Sequence, residues 1–322
     1  MSESHCFDPA LPFKATLAHA RSFGIFAAGG CPGLGAMGSA IARVLATRGY
    51  EVTVWNRTPA KAAALQSSGV HAVESPAAAI HAGRCVMVSV ADYHAASGFL
   101  ELGEAAKAVA GRTLIQLTTG TPQEARAAAA WARAHDASYL DGAILVTPSQ
   151  LGTPDAAILV AGESAIITSA RPVLETLAPN LTYTGDEIGS AAAVDLAFLS
   201  HFFGGLLGFY HGARILEAEN IDVMTLGAMI RDVAPALGAI IHHDADTIRK
   251  NRFAQAESTL KNSATVVRLL LHHAREARLD PTFPAFADAL FQRGLAANFG
   301  AEDVAALVKV LRGDAKNDAL SK

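Results

Sequence analysis

The chain has 322 residues, enough for two ordinary domains and a sizeable buried core, so it is not a small stapled module. Its 26 basic and 30 acidic residues leave a formal charge of -4, which offers no basic surface to nucleic acid or anionic lipid. Only 17% of residues are charged and 51% are hydrophobic, a balance that calls for either a membrane-embedded segment or a large face buried against another chain.

Residues 1–20 read as a polar extension. Asp8, Pro9, Pro12, Lys14 and His19 interrupt any apolar run there, so no secretory signal is expected. The cysteines Cys6, Cys31 and Cys85 form neither a metal-spaced pair nor an even-numbered framework, which points to a reducing, cytoplasmic setting. The pairs His242/His243 and His272/His273 are adjacent in sequence and diverge by about 100° on a helix, so no metal site is expected.

From residue 21 onward, short apolar runs alternate with alanine-rich helical stretches, the pattern of an α/β sheet. Strands are expected over 23–28, 51–55, 85–90, 113–117, 138–141 and 156–161. Helices are expected over 37–48, 59–67, 75–81 and 122–135. The turn-rich Gly185-Asp186-Glu187-Ile188-Gly189 is the last break before the pattern turns wholly helical. A long helix over 190–220 opens that part and is nearly uncharged in its first two thirds, so it is expected to be covered all round. Its greasiest stretch, 191–210, is of membrane-span length, but Asp195 and His201 near its middle argue for a buried core helix and against a membrane. The reading is an α/β N-terminal Rossmann domain over 21–187 and an all-α C-terminal domain over 188–322, joined by the long inter-domain helix.

Gly33-Leu34-Gly35-Ala36-Met37-Gly38 follows an apolar strand and opens a helix, the context a dinucleotide fingerprint requires. Glycine there permits a tight turn and backbone approach to a pyrophosphate at the helix N-terminus. The next strand ends in Trp55-Asn56-Arg57-Thr58, with Lys61 one helical turn later. No Asp or Glu occurs between Val52 and Val73 to hold the ribose hydroxyls of NAD. Arg57 and Lys61 instead offer positive charge, and Asn56 and Thr58 hydrogen bonds, to a 2′-phosphate, so NADP(H) is the expected cofactor. Four residues, Gly29, Gly30, Cys31 and Pro32, separate the expected strand from Gly33 and suggest a bulged turn. Ser89, Val90, Ala91 and Thr118 lie at strand ends, where ligands of open parallel sheets bind, and are further cofactor candidates.

The run from Gly33 through Lys61 resembles the imine reductases, relatives of the β-hydroxyacid dehydrogenases and of 6-phosphogluconate dehydrogenase. The likeness continues in Leu117-Thr118-Thr119-Gly120-Thr121-Pro122, Tyr139-Leu140-Asp141-Gly142-Ala143-Ile144, Gly152-Thr153-Pro154-Asp155-Ala156 and Phe299-Gly300-Ala301-Glu302-Asp303. The resemblance implies reciprocally interlocked helical domains in a homodimer. It also implies a substrate cleft between one chain's cofactor domain and the other chain's helices.

Two positions choose among the chemistries of that superfamily. In the hydroxyacid dehydrogenase pattern, a glycine before the long helix is followed six residues later by a catalytic lysine. Counting from Gly189 gives Asp195. A lysine suits a developing alkoxide, whereas a carboxylate repels it and favours an iminium cation. The resemblance to imine reductases gives Asp195 the role of protonating or anchoring the imine nitrogen. Phe198, Leu199, Phe202 and Phe203 share its helical face and are expected to wall it with apolar surface. Hydroxyacid dehydrogenases also carry an Asp-Ala-Pro-Val-Ser-Gly-Gly tract that grips a substrate carboxylate. Leu145 and Val146 replace its serine and first glycine here. Thr119, Ile144 and Leu145 join Phe198, Leu199 and Phe202 as pocket candidates, although Ile144 and Leu145 serve equally well as core. The expectation is NADPH-dependent reduction of a small apolar imine or iminium. The alternatives are a β-hydroxyacid dehydrogenase or carbonyl reductase of the same fold, and a non-catalytic NADPH-binding regulator.

Overall fold

Val52 and Val54 are completely buried while Glu51 between them and the preceding loop is open, the alternation of a strand that rests one face on a helical layer. The computed structural model describes residues 22–26, 35–101 and 103–313. Gly33, Leu34, residues 29–32 and the extension at 1–20 lie outside the described residues.

Eight strands form one sheet: β1 (Ser22–Phe26), β2 (Glu51–Trp55), β3 (Val70–Ala72), β4 (Cys85–Val88), β5 (Thr113–Gln116), β6 (Ser138–Ile144), β7 (Ala157–Ala161) and β8 (Asn180–Gly185). Their spatial order is β3-β2-β1-β4-β5-β6-β7-β8. Every pair is parallel except β6 with β7. The strand order reverses between β1 and β4, the switch point at which doubly wound sheets bind dinucleotides. The helices of this part are α1 (Ala36–Thr47), α2 (Pro59–Ala63), α3 (Pro76–His81), α4 (Tyr93–Leu100), α5 (Gly103–Ala108), α6 (Pro122–Ala134) and α7 (Ser164–Leu177). One apolar core holds Ile41, Leu45, Met87, Ile115, Leu140, Ile158 and Leu174; a second holds Ile80, Val86, Val88, Leu100, Val109 and Leu114.

The strand expected over 138–141 continues to Ile144 because β7 pairs with it through Gly142, opposite Val160. A Cβ on Gly142 would lie 2.9 Å from the Leu159 carbonyl oxygen, so only glycine admits that approach. The short β3, the edge strand β8 and the helices α4, α5 and α7 do not follow from the apolar pattern read above. Pro172 inside α7 and the polar, largely open β8 explain why their patterns are weak.

The chain divides into two compact units at Ser200/His201. The second contains most of α8 (Ser190–Ala218), then α9 (Met224–Lys250), α10 (Leu260–Glu276), α11 (Thr282–Ala296) and α12 (Leu307–Leu311). Its small core gathers Phe253, Leu260, Ala305 and Ala306, with Phe291, Leu295 and Phe299 packed against them. Lys309 closes this core, lying 3.9 Å over the Phe299 ring and 2.7 Å from a Glu302 carboxylate oxygen.

Among the described residues the long helix is not covered all round. Only Ala191, Ala192 and Asp195 of α8 are buried; Phe203 and Leu207 are each 57% exposed. On α9, Met229 and Ile240 are each 56% exposed. Both helices are long and apolar enough to cross a membrane by length and composition, with mean hydropathies of 1.5 and 1.4.

Candidate active site

The sheet's switch point presents the N-terminus of α1. Gly35 is its N-cap, with no side-chain cap and no acidic residue in the first turn, so the positive end of the helix dipole is left for an anion. Ala36 is exposed and Met37 half-buried, while Gly38 and Ser39 are buried beneath the turn. Beyond β2, the buried Asn56 accepts a bond from the Thr58 amide at 2.7 Å. Its oxygen is therefore engaged in shaping the turn. That turn leaves Arg57 and Thr58 exposed and Lys61 half-buried. Among the described residues at this edge the fixed charge is positive, and it fits a 2′-phosphate better than a bare ribose.

At the ends of β4 and β5, Ser89 and Thr118 are buried, Val90 is half-buried and Ala91 exposed. The Val90 amide donates to Thr118 Oγ1 at 3.1 Å, tying the two loops together. Thr119 is exposed at the same end, with its hydroxyl near enough to the Asp195 side chain to favour the charged carboxylate.

Asp195 enters this site from the first turns of α8 and is 3% exposed. Burial pushes its carboxyl above the usual carboxylate range, and the neighbouring Thr119 hydroxyl draws it partly back. A raised value keeps a proton on the carboxyl closer to neutrality, as a general acid needs. Gly189 sets the start of the helix. Its φ is +97°, and a Cβ there would lie 2.9 Å from the Pro122 carbonyl oxygen and 3.0 Å from Arg126 Nη1. The chain therefore passes close over the beginning of α6, whose capping box joins Thr121 and Glu124.

A polar group that the sequence reading passed over lies behind Asp195. Asp141 of β6 is 1% exposed and accepts the Tyr93 hydroxyl at 2.8 Å and the Ala192 amide at 3.2 Å. Burial pushes Asp141 up as well, opposed by the bond from Tyr93. The Tyr139 hydroxyl is 3.5 Å from that of Tyr93. The available signal was an aspartate inside an otherwise apolar strand. A separate cleft of about 300 Å³ lies between α4, α6 and the sheet. It includes Tyr93, Tyr139 and Trp131 but not Asp195, so it is not where Asp195 would meet a substrate.

The remaining pocket candidates divide. Ile144 packs against the larger core, and Leu145 against Ala143, Leu159, Ala161 and Ala191. Leu199 is half-buried, and Phe198 and Phe202 are 44% and 46% exposed. These fractional exposures fall short of the dry aromatic wall expected around Asp195 among the described residues.

Residues 30–185 match the family described as the NAD binding domain of 6-phosphogluconate dehydrogenase, and residues 187–313 match the C-terminal domain of NADPH-dependent reductive aminase-like proteins. An NADPH-dependent reductive aminase from Aspergillus oryzae is 28% identical over 283 residues, covering 87% of this chain and 95% of that protein. The structure of an imine reductase from Myxococcus stipitatus in complex with NADP+ matches with a TM-score of 0.82 at 30% identity, covering 89% of this chain and 99% of that one. A reductive aminase from Aspergillus terreus, in complex with NADPH4, cyclohexanone and allyl amine, matches with a TM-score of 0.83 at 30% identity, over 91% and 100% of the two chains.

Proposed function

The chain belongs to the imine reductase and reductive aminase family, and from that premise we propose that it reduces C=N bonds with NADPH, using Asp195 as the proton donor or iminium anchor. NADPH, when bound, supplies the hydride for the imine carbon. The residues suited to hold it are the α1 N-terminus at Gly35, Ala36 and Met37, the basic turn of Arg57, Thr58 and Lys61, and the strand ends at Ser89, Val90, Ala91 and Thr118.

Asp195 performs the complementary half of the reaction. Its protonated carboxyl gives a proton to the imine nitrogen, and the π electron pair of the C=N bond moves onto that nitrogen as the hydride adds to the carbon. The carboxylate left behind faces the cationic nitrogen, and the neighbouring Thr119 hydroxyl favours its charged form. A lysine at this position would repel the iminium. The observation that carries the reading is a buried carboxylate, pushed toward neutrality, on a helix start beside Thr119 at the end of β5. The substrate is a small apolar imine or iminium, preformed or assembled from a ketone and an amine.

The test is NADPH consumption with a panel of cyclic imines, with a ketone alone and a β-hydroxyacid as controls, repeated with Asp195→Ala. Imine turnover that the substitution leaves intact removes Asp195 from the mechanism. Oxidation of the hydroxyacid alone overturns the function.

The open apolar faces of α8 and α9 support a homodimer in which two copies cover each other's helices, and the unpaired cysteine pattern supports a cytoplasmic enzyme. A monomer by light scattering at micromolar concentration would refute the dimer.

A further inference from the structure

A second carboxylate stands beside Asp195 and has no part in the chemistry above. Asp141 sits in the apolar run of β6, where a carboxylate without donors is costly. Its oxygens are both supplied. Oδ1 accepts from the Tyr93 hydroxyl at 2.8 Å and Oδ2 from the Ala192 amide at 3.2 Å.

The Ala192 bond places this carboxylate at a definite point of α8. Amides in the first turn of a helix have no partner within the helix, and the residue preceding α8 is Gly189, which has no side chain with which to cap it. Asp141 therefore caps α8 from another strand, at its positive dipole end. Ala192 and Asp195 are three residues apart and share a helical face, so the capping carboxylate fixes the turn on which Asp195 stands and lies within its electrostatic reach. Tyr93, the other donor, is itself confined: its ring fills the space that a Cβ on Gly120 would need.

Two carboxylates in one buried site do not both ionise readily and titrate as a pair. Asp141 has the Tyr93 hydroxyl and the Ala192 amide as donors, while burial and the neighbouring Asp195 charge both push it up. The other titratable or charged groups around them are Tyr93 from α4, Tyr139 from β6 and Arg126 of α6 beside the helix start.

We propose that Asp141 is a positioning residue for the reduction: held by Tyr93, it anchors the first turn of α8 through Ala192 and so holds Asp195 in its buried position. The proposal rests on the reading of Asp195 as the proton-bearing group.

Asp141→Asn and Tyr93→Phe test it, both nearly isosteric, the first still able to accept from Ala192. Each is measured in two ways. One is the pH profile of kcat with NADPH and a cyclic imine. The other is a carboxyl-carbon NMR titration of the NADPH-free protein, with Asp195 assigned through the signal lost in Asp195→Asn. In both variants the Asp195 midpoint and the basic limb of kcat are expected to move to lower pH, read as about tenfold slower turnover on the alkaline side. A merely structural role would lower kcat at every pH without moving either midpoint. An Asp195 titration unchanged in both variants overturns the proposal, whatever happens to activity. If Asp195→Asn itself leaves turnover intact, the catalytic reading fails, and the NMR titration still decides whether Asp141 holds Asp195 in its buried position.

Discussion

Replacing Gly189 by alanine perturbs both the stability and the chemistry of this protein, and the structure separates the contributions. The first is conformational: at φ +97° an L side chain is strained by about 1–2 kcal/mol. The second is steric. The new methyl would lie 2.9 Å from the Pro122 carbonyl oxygen, a backbone atom that cannot swing aside, and relieving such overpacking costs about 1–3 kcal/mol. Together they amount to about 2–5 kcal/mol, which at about 2–4 °C per kcal/mol lowers the melting temperature by about 4–20 °C. Gly185 provides the control. Its φ is +123°, but nothing lies within 4 Å of the place its Cβ would occupy, so Gly185→Ala incurs only the conformational part, about 2–8 °C. Scanning calorimetry of both variants at one protein concentration reads the difference. The Gly189 variant should also lose turnover, because relief of the clash shifts the start of α8 and with it the bond between Ala192 and Asp141. A Gly189→Ala protein that melts as high as Gly185→Ala and keeps full kcat would refute the close-approach argument.

Arg57→Ala is expected to weaken NADPH by roughly tenfold to a hundredfold in kcat/KM, the worth of a charge-assisted hydrogen bond, while NADH changes little; equal losses for the two cofactors would argue against a 2′-phosphate contact. The raised Asp195 carboxyl also makes stability depend on pH. Folding favours the protonated form, so the folded state binds more protons than the unfolded one, and stability falls as pH rises above the ordinary value of 3.8 through the higher folded value. Asp195→Asn removes this loss, so its melting temperature relative to the parent should increase with pH across that window. A constant offset at all pH values would show that burial does not perturb Asp195.

The cofactor half of the protein was legible in its sequence because its signals are local. A glycine-rich turn between strand and helix, and a β2 end carrying Arg57 with no nearby acid, act through backbone geometry and charge within a few residues. Asp195 stood out as a candidate for a related reason: an isolated carboxylate in an apolar helix violates the local pattern and so draws notice. What the local pattern did not contain was the partner of each group. Tyr93 reads as an ordinary helix opener and Asp141 as one residue of a strand, and the distance between them in sequence hides a 2.8 Å hydrogen bond that parallel pairing of β5 with β6 and the placement of α4 bring about. Likewise the uncharged stretch of α8 announced burial, but not by what. Phe203 and Leu207 of that helix are each 57% exposed, because hydrophobic burial is non-directional and composition specifies only that a face be covered. Composition and motif thus determined the two-part architecture and the kind of cofactor, while only the tertiary structure decided which donors converge on the buried carboxylates, since hydrogen bonds depend on direction and distance that no periodicity encodes.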